Sequence, residues 1–448
     1  MAAPTVHARE VGSVIRGARA AARMTQAQLG ELCGYSSSAI SRVEGGRLRL
    51  APETLLRVAE VLRIAPEELG VASHPVGRPV LRGAAGAQGP AARVAGTVMV
   101  GQEDAVRRRE LLAGVVGVGA ALVASPASAV PVQAAVPADP VAPLERALFQ
   151  PLSAEPVPPG QLSGTLAAAR ADFSAARYRA LGEALPGLLA AAEASRDAAS
   201  GLAREQAQMA VARGYVLATE LAVKQHSDVA WATADRALTA ARASGDPVVI
   251  GEAARVLAIT MRRAGRAGAA VDLLRDTASA LGEQRGRAPR AVEATLLMTA
   301  AYTAACNGRR GDALDLMRGA QDAVEQVPAD GPGSVLFTVD ATAAQADLYW
   351  IGVHNALGTP DEAVRYAARI DPALLPTAER RARLGTDAAR MWHQLGDHRR
   401  TFAALRLVEH AAPEEVRRPA LRAMTAGLLY GPVALPGLKE FAQRTGVA

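Results

Sequence analysis

The sequence predicts an all-α protein with a small N-terminal helical bundle, a flexible connection and a C-terminal array of stacked helix pairs. Three observations carry this. Short segments before Leu69 repeat apolar residues at helical spacing and are separated by turn residues. From about Gln161 onward, apolar helical segments alternate with a recurring glycine-marked turn. The composition is rich in alanine, leucine and arginine, half of it hydrophobic and only 3% aromatic, as suits helices packed through small side chains. A chain of 448 residues is long enough for two or three domains.

The first helix is expected from about His7 to Arg23. Val11, Val14, Ile15 and Ala18 fall on one side, with Arg16, Arg19 and Arg23 on the other. The stretch from Met24 to Gly46 holds two short helical patterns around a glycine. Thr25 is placed as an N-cap, with Gln28 three residues on to complete a capping box. Leu29 and Leu32 give that helix its apolar side, and Gly34 supplies the turn. Ser36 can cap the next helix, in which Ile40 and Val43 face inward. Ser37, Ser38, Ser41 and Arg42 then face outward. A short polar helix held up by a supporting helix is the geometry that enters a DNA major groove. The loop Gly45–Arg49 carries Arg47 and Arg49, suited to flanking phosphates or to a solvated surface. Pro52 opens a fourth helix with Leu55, Leu56, Val58, Ala59 and Leu62 for the core, and Pro66 begins a short fifth.

The pattern TQ-x-x-L-x-x-x-x-G-x-S-x-S-x-I-S-R-x-E-x-G resembles the Xre/Cro-type helix-turn-helix repressors, over roughly Glu10 to Leu69. The resemblance implies a five-helix, lambda-repressor-like helix-turn-helix (HTH) bundle. Gly30 departs from the alanine usual at the crowded helix contact, at about 1 kcal/mol of helix propensity. The Glu44-to-Pro52 spacing also differs from the commonest form, which bears on the phosphate contacts of that loop. The competing reading is a helical hairpin with no nucleic-acid role.

The middle of the chain divides by composition. Residues 1–70 are the HTH domain. Residues 71–106 are Gly, Ala, Pro and Arg without period and read as a flexible linker. Residues 107–125 begin with Arg107-Arg108-Arg109 and continue as a small-apolar run, Leu111 to Ala124. Three readings fit this run: a soluble helix docking or self-pairing through Ala113, Gly117 and Ala121, a membrane tether, or a twin-arginine export signal. Position argues against export, and a 14-residue helix reaches only about 21 Å against a hydrocarbon core of about 30 Å. Gly117-Val118-Gly119 lacks the preceding strand and third glycine of a dinucleotide loop. Residues 126–160 hold nine prolines and read as a semi-extended spacer.

Residues 161–448 are read as the repeat domain. Gly265 with Ala270, Gly308 with Ala313, Gly358 with Ala363 and Gly396 with Thr401 mark four turns. Ser227 with Ala232 is a weaker fifth copy. The glycine turns the chain, and the small residue lets the paired helices approach. Residues Pro328 to Ser334 read as a loop insertion. The pattern resembles the tetratricopeptide repeat (TPR), here as a TPR-like α-solenoid. The opening Ala171–Tyr178 segment resembles the TPR-like domain behind Xre-type motifs in actinobacterial regulators. That resemblance implies a concave face for a signalling peptide or for dimerisation, with Asn307, His354 and Asn355 as polar candidates.

The remaining chemistry is sparse. No HExxH, Walker A or GxSxG motif is present, so no enzyme activity and no cofactor are expected. His393 and His398 lie five apart, a poor metal spacing. His410 reads as a dipole partner at a helix end, and Arg310-Gly311-Asp312 as an accident of a repeat turn. Cys33 and Cys306 lie far apart without a CxxC motif, which points to a reducing cytoplasm and two small buried thiols. A net charge of +6 allows an anionic partner without requiring one.

The expected function is a sequence-specific DNA-binding transcriptional regulator. The expected DNA contacts are Gln26, Ser37, Ser38, Ser41, Arg42, Arg47 and Arg49. Arg42 is suited to guanine, because its guanidinium can pair with O6 and N7 together. The expected partners are double-stranded DNA carrying an inverted repeat, a second copy of the chain, and a peptide, small molecule or protein on the TPR-like domain. The alternative is a TPR-type protein adaptor, tethered or not through residues 111–124.

Overall fold

The computed structural model describes residues 3–33, 35, 37–46, 48, 50, 52–71, 139–150, 152–327, 337, 340–431 and 433–447. The expected linker after Val71, the Arg-led run and the spacer as far as residue 138 lie outside these residues. Among the described residues every regular element is helical, and no helix is long and apolar enough to cross a membrane.

The N-terminal bundle consists of α1 (Ala3–Ala21), α2 (Gln26–Cys33), α3 (Ser37–Glu44), α4 (Pro52–Leu62) and a 3₁₀ turn (Pro66–Leu69). Its core is Ile15, Leu29, Cys33, Ile40, Val43, Val58, Ala59, Leu62 and Leu69. The Thr25 capping box forms at the head of α2. The Gln28 amide donates to Thr25 Oγ1 at 3.1 Å, and the Thr25 amide donates to Gln28 Oε1 at 2.8 Å. Two apolar assignments differ from the expectation. Leu32 is 48% exposed, because α2 buries the i, i+4 pair Leu29 and Cys33 instead of Leu29 and Leu32. Leu56 is likewise exposed on the outer side of α4. At Gly12, α1 runs so close to the end of α3 that a side chain would collide with the Val43 and Glu44 carbonyl oxygens.

The larger part of the chain begins with α5 (Ala142–Phe149), which falls inside the stretch expected to be extended. Pro143 sits in the first turn of this helix, where a missing N–H costs nothing, and Leu144 is fully buried. Six helix pairs follow. They are α6 (Pro159–Ser174) with α7 (Tyr178–Ala198), α8 (Gly201–Lys224) with α9 (Ala230–Ser244), and α10 (Pro247–Arg263) with α11 (Ala267–Gly282). Then come α12 (Arg287–Cys306) with α13 (Arg310–Glu325), α14 (Ala343–Ala356) with α15 (Pro360–Ala367), and α16 (Ala378–Gln394) with α17 (His398–Ala411). Helices α18 (Pro419–Leu429) and α19 (Leu438–Thr445) close the chain.

The glycine markers do what their spacing suggests. Gly265, Gly308, Gly358 and Gly396 all have φ between 70° and 78°, the left-handed conformation that ends a helix. Ala270, Ala313, Ala363 and Thr401, five residues on, are each fully buried where the paired helices meet. The fifth copy is displaced. There His226 takes the left-handed turn with φ 60°, Thr233 is the buried small residue, and Ala232 is exposed. Ala176 makes the equivalent turn between α6 and α7 with φ 57°.

The ends of the array share one core. A single apolar cluster runs from Leu162, Phe173 and Leu185 through Val216 and Val249 to Phe402, Leu405 and Phe441. A buried ionic group ties the same ends together. Lys224 Nζ lies 2.7 Å from Glu379 Oε1 and 3.3 Å from Glu415 Oε2, and Tyr178 donates to Glu415 Oε2 at 2.5 Å. Arg418 pairs with Glu415, and Arg380 with Glu379. Burial alone would push both carboxyls up. The cations outweigh it, holding Glu379 at about 2 and Glu415 lower still.

Candidate nucleic-acid interface

The candidate interface is built on Glu44, the last residue of α3. Its side chain is 1% exposed, on the face that also buries Ile40 and Val43. A carboxylate in that position must be paired. Arg19, from α1, reaches it with Nε at 2.5 Å and Nη2 at 3.1 Å, a two-point grip. Gln26, at the head of α2, donates to Glu44 Oε2 at 2.8 Å. Arg16 approaches to 3.6 Å and also donates to the Glu44 carbonyl at 3.1 Å. Arg19 further donates to the Met24 carbonyl at 2.6 Å, fixing the turn before α2. Burial would push the Glu44 carboxyl up, but the Arg19 and Gln26 hydrogen bonds with the Arg19 and Arg16 charges hold it below the usual carboxylate range. One buried carboxylate thus locks α1, α2 and α3 together and sets the angle at which α3 stands out.

Sequence reasoning named neither Arg19 nor Glu44 as part of this site. The available signal was the phase of α3: Glu44 follows Ile40 by four residues and so lies on its inward side. Arg19, expected on the side of α1 opposite Val11, Val14, Ile15 and Ala18, is the partner that this position requires.

The outer side of α3 carries the expected reading residues. Ser37 is exposed, and Ser41 and Arg42 are half-buried. Gln26 is half-buried and bonded to Glu44, which makes it a brace of α3 in this structure. The Ser38 side chain, Arg47 and Arg49 lie outside the described residues. Arg42 donates through Nη2 to Asp361 Oδ1 at 2.7 Å, in the first turn of α15. Nearby, the Arg310 guanidinium sits 5.8 Å from the Tyr35 ring centroid. The turn at Gly358 faces Leu48 and Tyr35.

Two polar candidates from the repeat domain have structural roles instead. His354 is 3% exposed, in a cluster of three near-parallel rings with Trp350 and Tyr366, and its Nδ1 lies 3.0 Å from Thr359 Oγ1. Burial, and then the nearby Arg310 and Arg365 charges, push its pKa down to about 4. Asn355 donates to the Asp387 carbonyl at 2.9 Å, pinning α14 to α16. Asn307 is exposed. Of the two thiols, Cys33 is buried but Cys306 is exposed, because it lies at the open end of α12.

The bundle and its braced, outward-facing third helix define a helix-turn-helix domain joined to an all-helical repeat array. Comparison with known families agrees for the first part: residues 10–70 match the family described as the helix-turn-helix domain. No curated protein matches the chain. Among solved structures, PlcR of Bacillus thuringiensis, in complex with the peptide PapR7 and DNA, aligns over 89% of this chain and 99% of its own. The identity is 12% and the TM-score 0.30, values at which the alignment carries no argument about shape or function.

Proposed function

We propose that this chain is a sequence-specific DNA-binding transcriptional regulator of the Xre type, with an actinobacterial layout. The single observation that carries the proposal is the braced α3 of a matched helix-turn-helix domain, which turns Ser37, Ser41 and Arg42 away from the bundle core. The helix enters the major groove by its Ser37–Arg42 side. Arg42 pairs with guanine O6 and N7, while Ser37, Ser38 and Ser41 make shorter contacts with bases or phosphate. Arg47 and Arg49 contact flanking phosphates, and Gln26 either reaches a phosphate or serves only as the brace.

One small bundle contacts few base pairs, so the regulator acts as a homodimer on an inverted repeat. Its half-sites lie about 10 bp apart or at a multiple of that. The repeat domain supplies the dimer contact, senses a peptide or small-molecule signal, or does both, in the cytoplasm. The test is binding to duplex DNA over a range of salt concentrations. Phosphate neutralisation requires affinity to fall steeply as salt rises. A flat salt response would refute the proposal and point to a protein-binding adaptor.

A further inference from the structure

The residue proposed to read guanine is already occupied by the chain's own repeat domain. Arg42 Nη2 donates to Asp361 Oδ1 at 2.7 Å, and the two side chains are 13% and 25% exposed. The contact does not stand alone. Arg310 at the start of α13 stacks over Tyr35, with its guanidinium 5.8 Å from the ring centroid. Burial lowers the pKa of that guanidinium. A side chain added at Gly358 would touch Leu48 at 3.6 Å and Tyr35 at 3.9 Å, so this turn and the bundle are in van der Waals range. The patch therefore has an apolar part, a cation over an aromatic ring and a half-buried ion pair.

We infer that this patch is an autoinhibitory clamp, in which Asp361 takes the place of the acceptor edge of guanine and holds α3 out of the major groove. The inference rests on the DNA-reading role proposed above. The two engagements of Arg42 exclude each other: a guanidinium nitrogen donated to Asp361 is not free for a base, and Asp361 brings α15 against the side of α3 that carries Arg42.

The clamp is also incompletely satisfied. Arg42 Nε and Arg310 Nη1 are buried without a hydrogen-bond partner. Opening lets a base edge pair Arg42 and lets water reach Arg310, so the clamp can be opened by DNA or by a signal. Asp361 rides on the α14–α15 pair. Any ligand or partner that repacks this pair moves Asp361 and shifts the balance between closed and open forms.

The test uses full-length protein and a pool of fluorescent random-sequence duplexes, read by anisotropy. The variants are Asp361→Ala, Arg42→Ala and, as a control for the loss of one negative charge, Glu362→Gln. Glu362 lies in the same turn and pairs with Arg365 instead of Arg42. Asp361→Ala should tighten binding about 5- to 30-fold, the shift expected when one partly buried charge-assisted hydrogen bond no longer favours the closed form. Glu362→Gln should change it less than about twofold. Asp361→Asn keeps the shape of the turn and carries the test if the alanine variant melts.

Wild-type binding that depends on Arg42, with the Asp361 variants no tighter than Glu362→Gln, would overturn the clamp and leave the DNA-reading proposal standing. Failure of every protein to bind any duplex, including the Asp361 variants, would overturn both.

Discussion

Replacing Glu44 by alanine tests whether α3 is held by one buried carboxylate. The variant removes a side chain that is 1% exposed and accepts from Arg19 at 2.5 and 3.1 Å and from Gln26 at 2.8 Å. Removing one member of a fully buried ion pair costs about 3–5 kcal/mol. Arg19 keeps its 2.6 Å bond to the Met24 carbonyl and is 16% exposed, so part of that penalty is relieved. The expected loss is then about 2–3 kcal/mol, most of what a bundle of this size has in reserve. Hydrogen exchange of the full-length protein reads this locally. Protection of the α1, α2 and α3 amides should fall about 30- to 150-fold, while α8 to α11 stay unchanged as an internal reference. Glu44→Gln, which keeps one acceptor, should fall between. Protection in α1–α3 within about threefold of wild type would refute the brace, since no alternative partner could replace a lost buried anion so fully.

Further outcomes follow from the same geometry. Gly12→Ala places a methyl group against the Val43 and Glu44 carbonyls and should cost about 1–3 kcal/mol, read as lower thermal stability of the bundle. Gly396→Ala meets open space but holds φ at 78°, so it should cost only about 1–2 kcal/mol, seen as a small fall in Tm of the repeat domain. Lys224→Met leaves Glu379 and Glu415 buried beside each other without their shared cation. It should destabilise the repeat domain by about 3–5 kcal/mol in urea unfolding, and more than the combined Lys224→Met, Glu379→Gln change. Glu379 has a depressed folded pKa of about 2, against an ordinary value of 4.5. Its stabilising contribution is therefore complete above pH 4.5 and is lost as pH falls towards about 2. Melting temperatures measured across that window should drop, and the drop should be smaller in Glu379→Gln.

Local features of the fold were legible where one residue type leaves little freedom. The Thr25 and Gln28 capping box and the left-handed turns at Gly265, Gly308, Gly358 and Gly396 could be read because each is set within five residues of chain. The same reasoning failed where another residue filled the special position. His226 and Ala176 hold the left-handed conformation without glycine, so the Ser227 copy was displaced and Ala232 was misplaced. Helix phase misled at Leu32, where i, i+3 and i, i+4 both place an apolar residue near the core and packing selects Cys33. Contacts between distant segments left almost no trace. Arg42 and Asp361 are 319 residues apart; Arg42 reads as a DNA contact, and nothing in the sequence pairs it with Asp361. Lys224 offered a weak hint, as one of two lysines in an arginine-rich chain. The choice suits its site, where a compact ammonium lies within 3.5 Å of two carboxylates.

The measurement that bears most directly on the whole account is selection of genomic DNA fragments by the purified full-length protein, with the Ser37→Ala, Arg42→Ala double variant alongside. A DNA-reading α3 requires enrichment of an inverted-repeat sequence by the wild type, lost in the variant and weakened by added salt. Enrichment that survives in the variant would show that α3 does not read the sequence. Absence of enrichment at low salt, even with Asp361→Ala in place, would contradict a DNA-reading function for this chain.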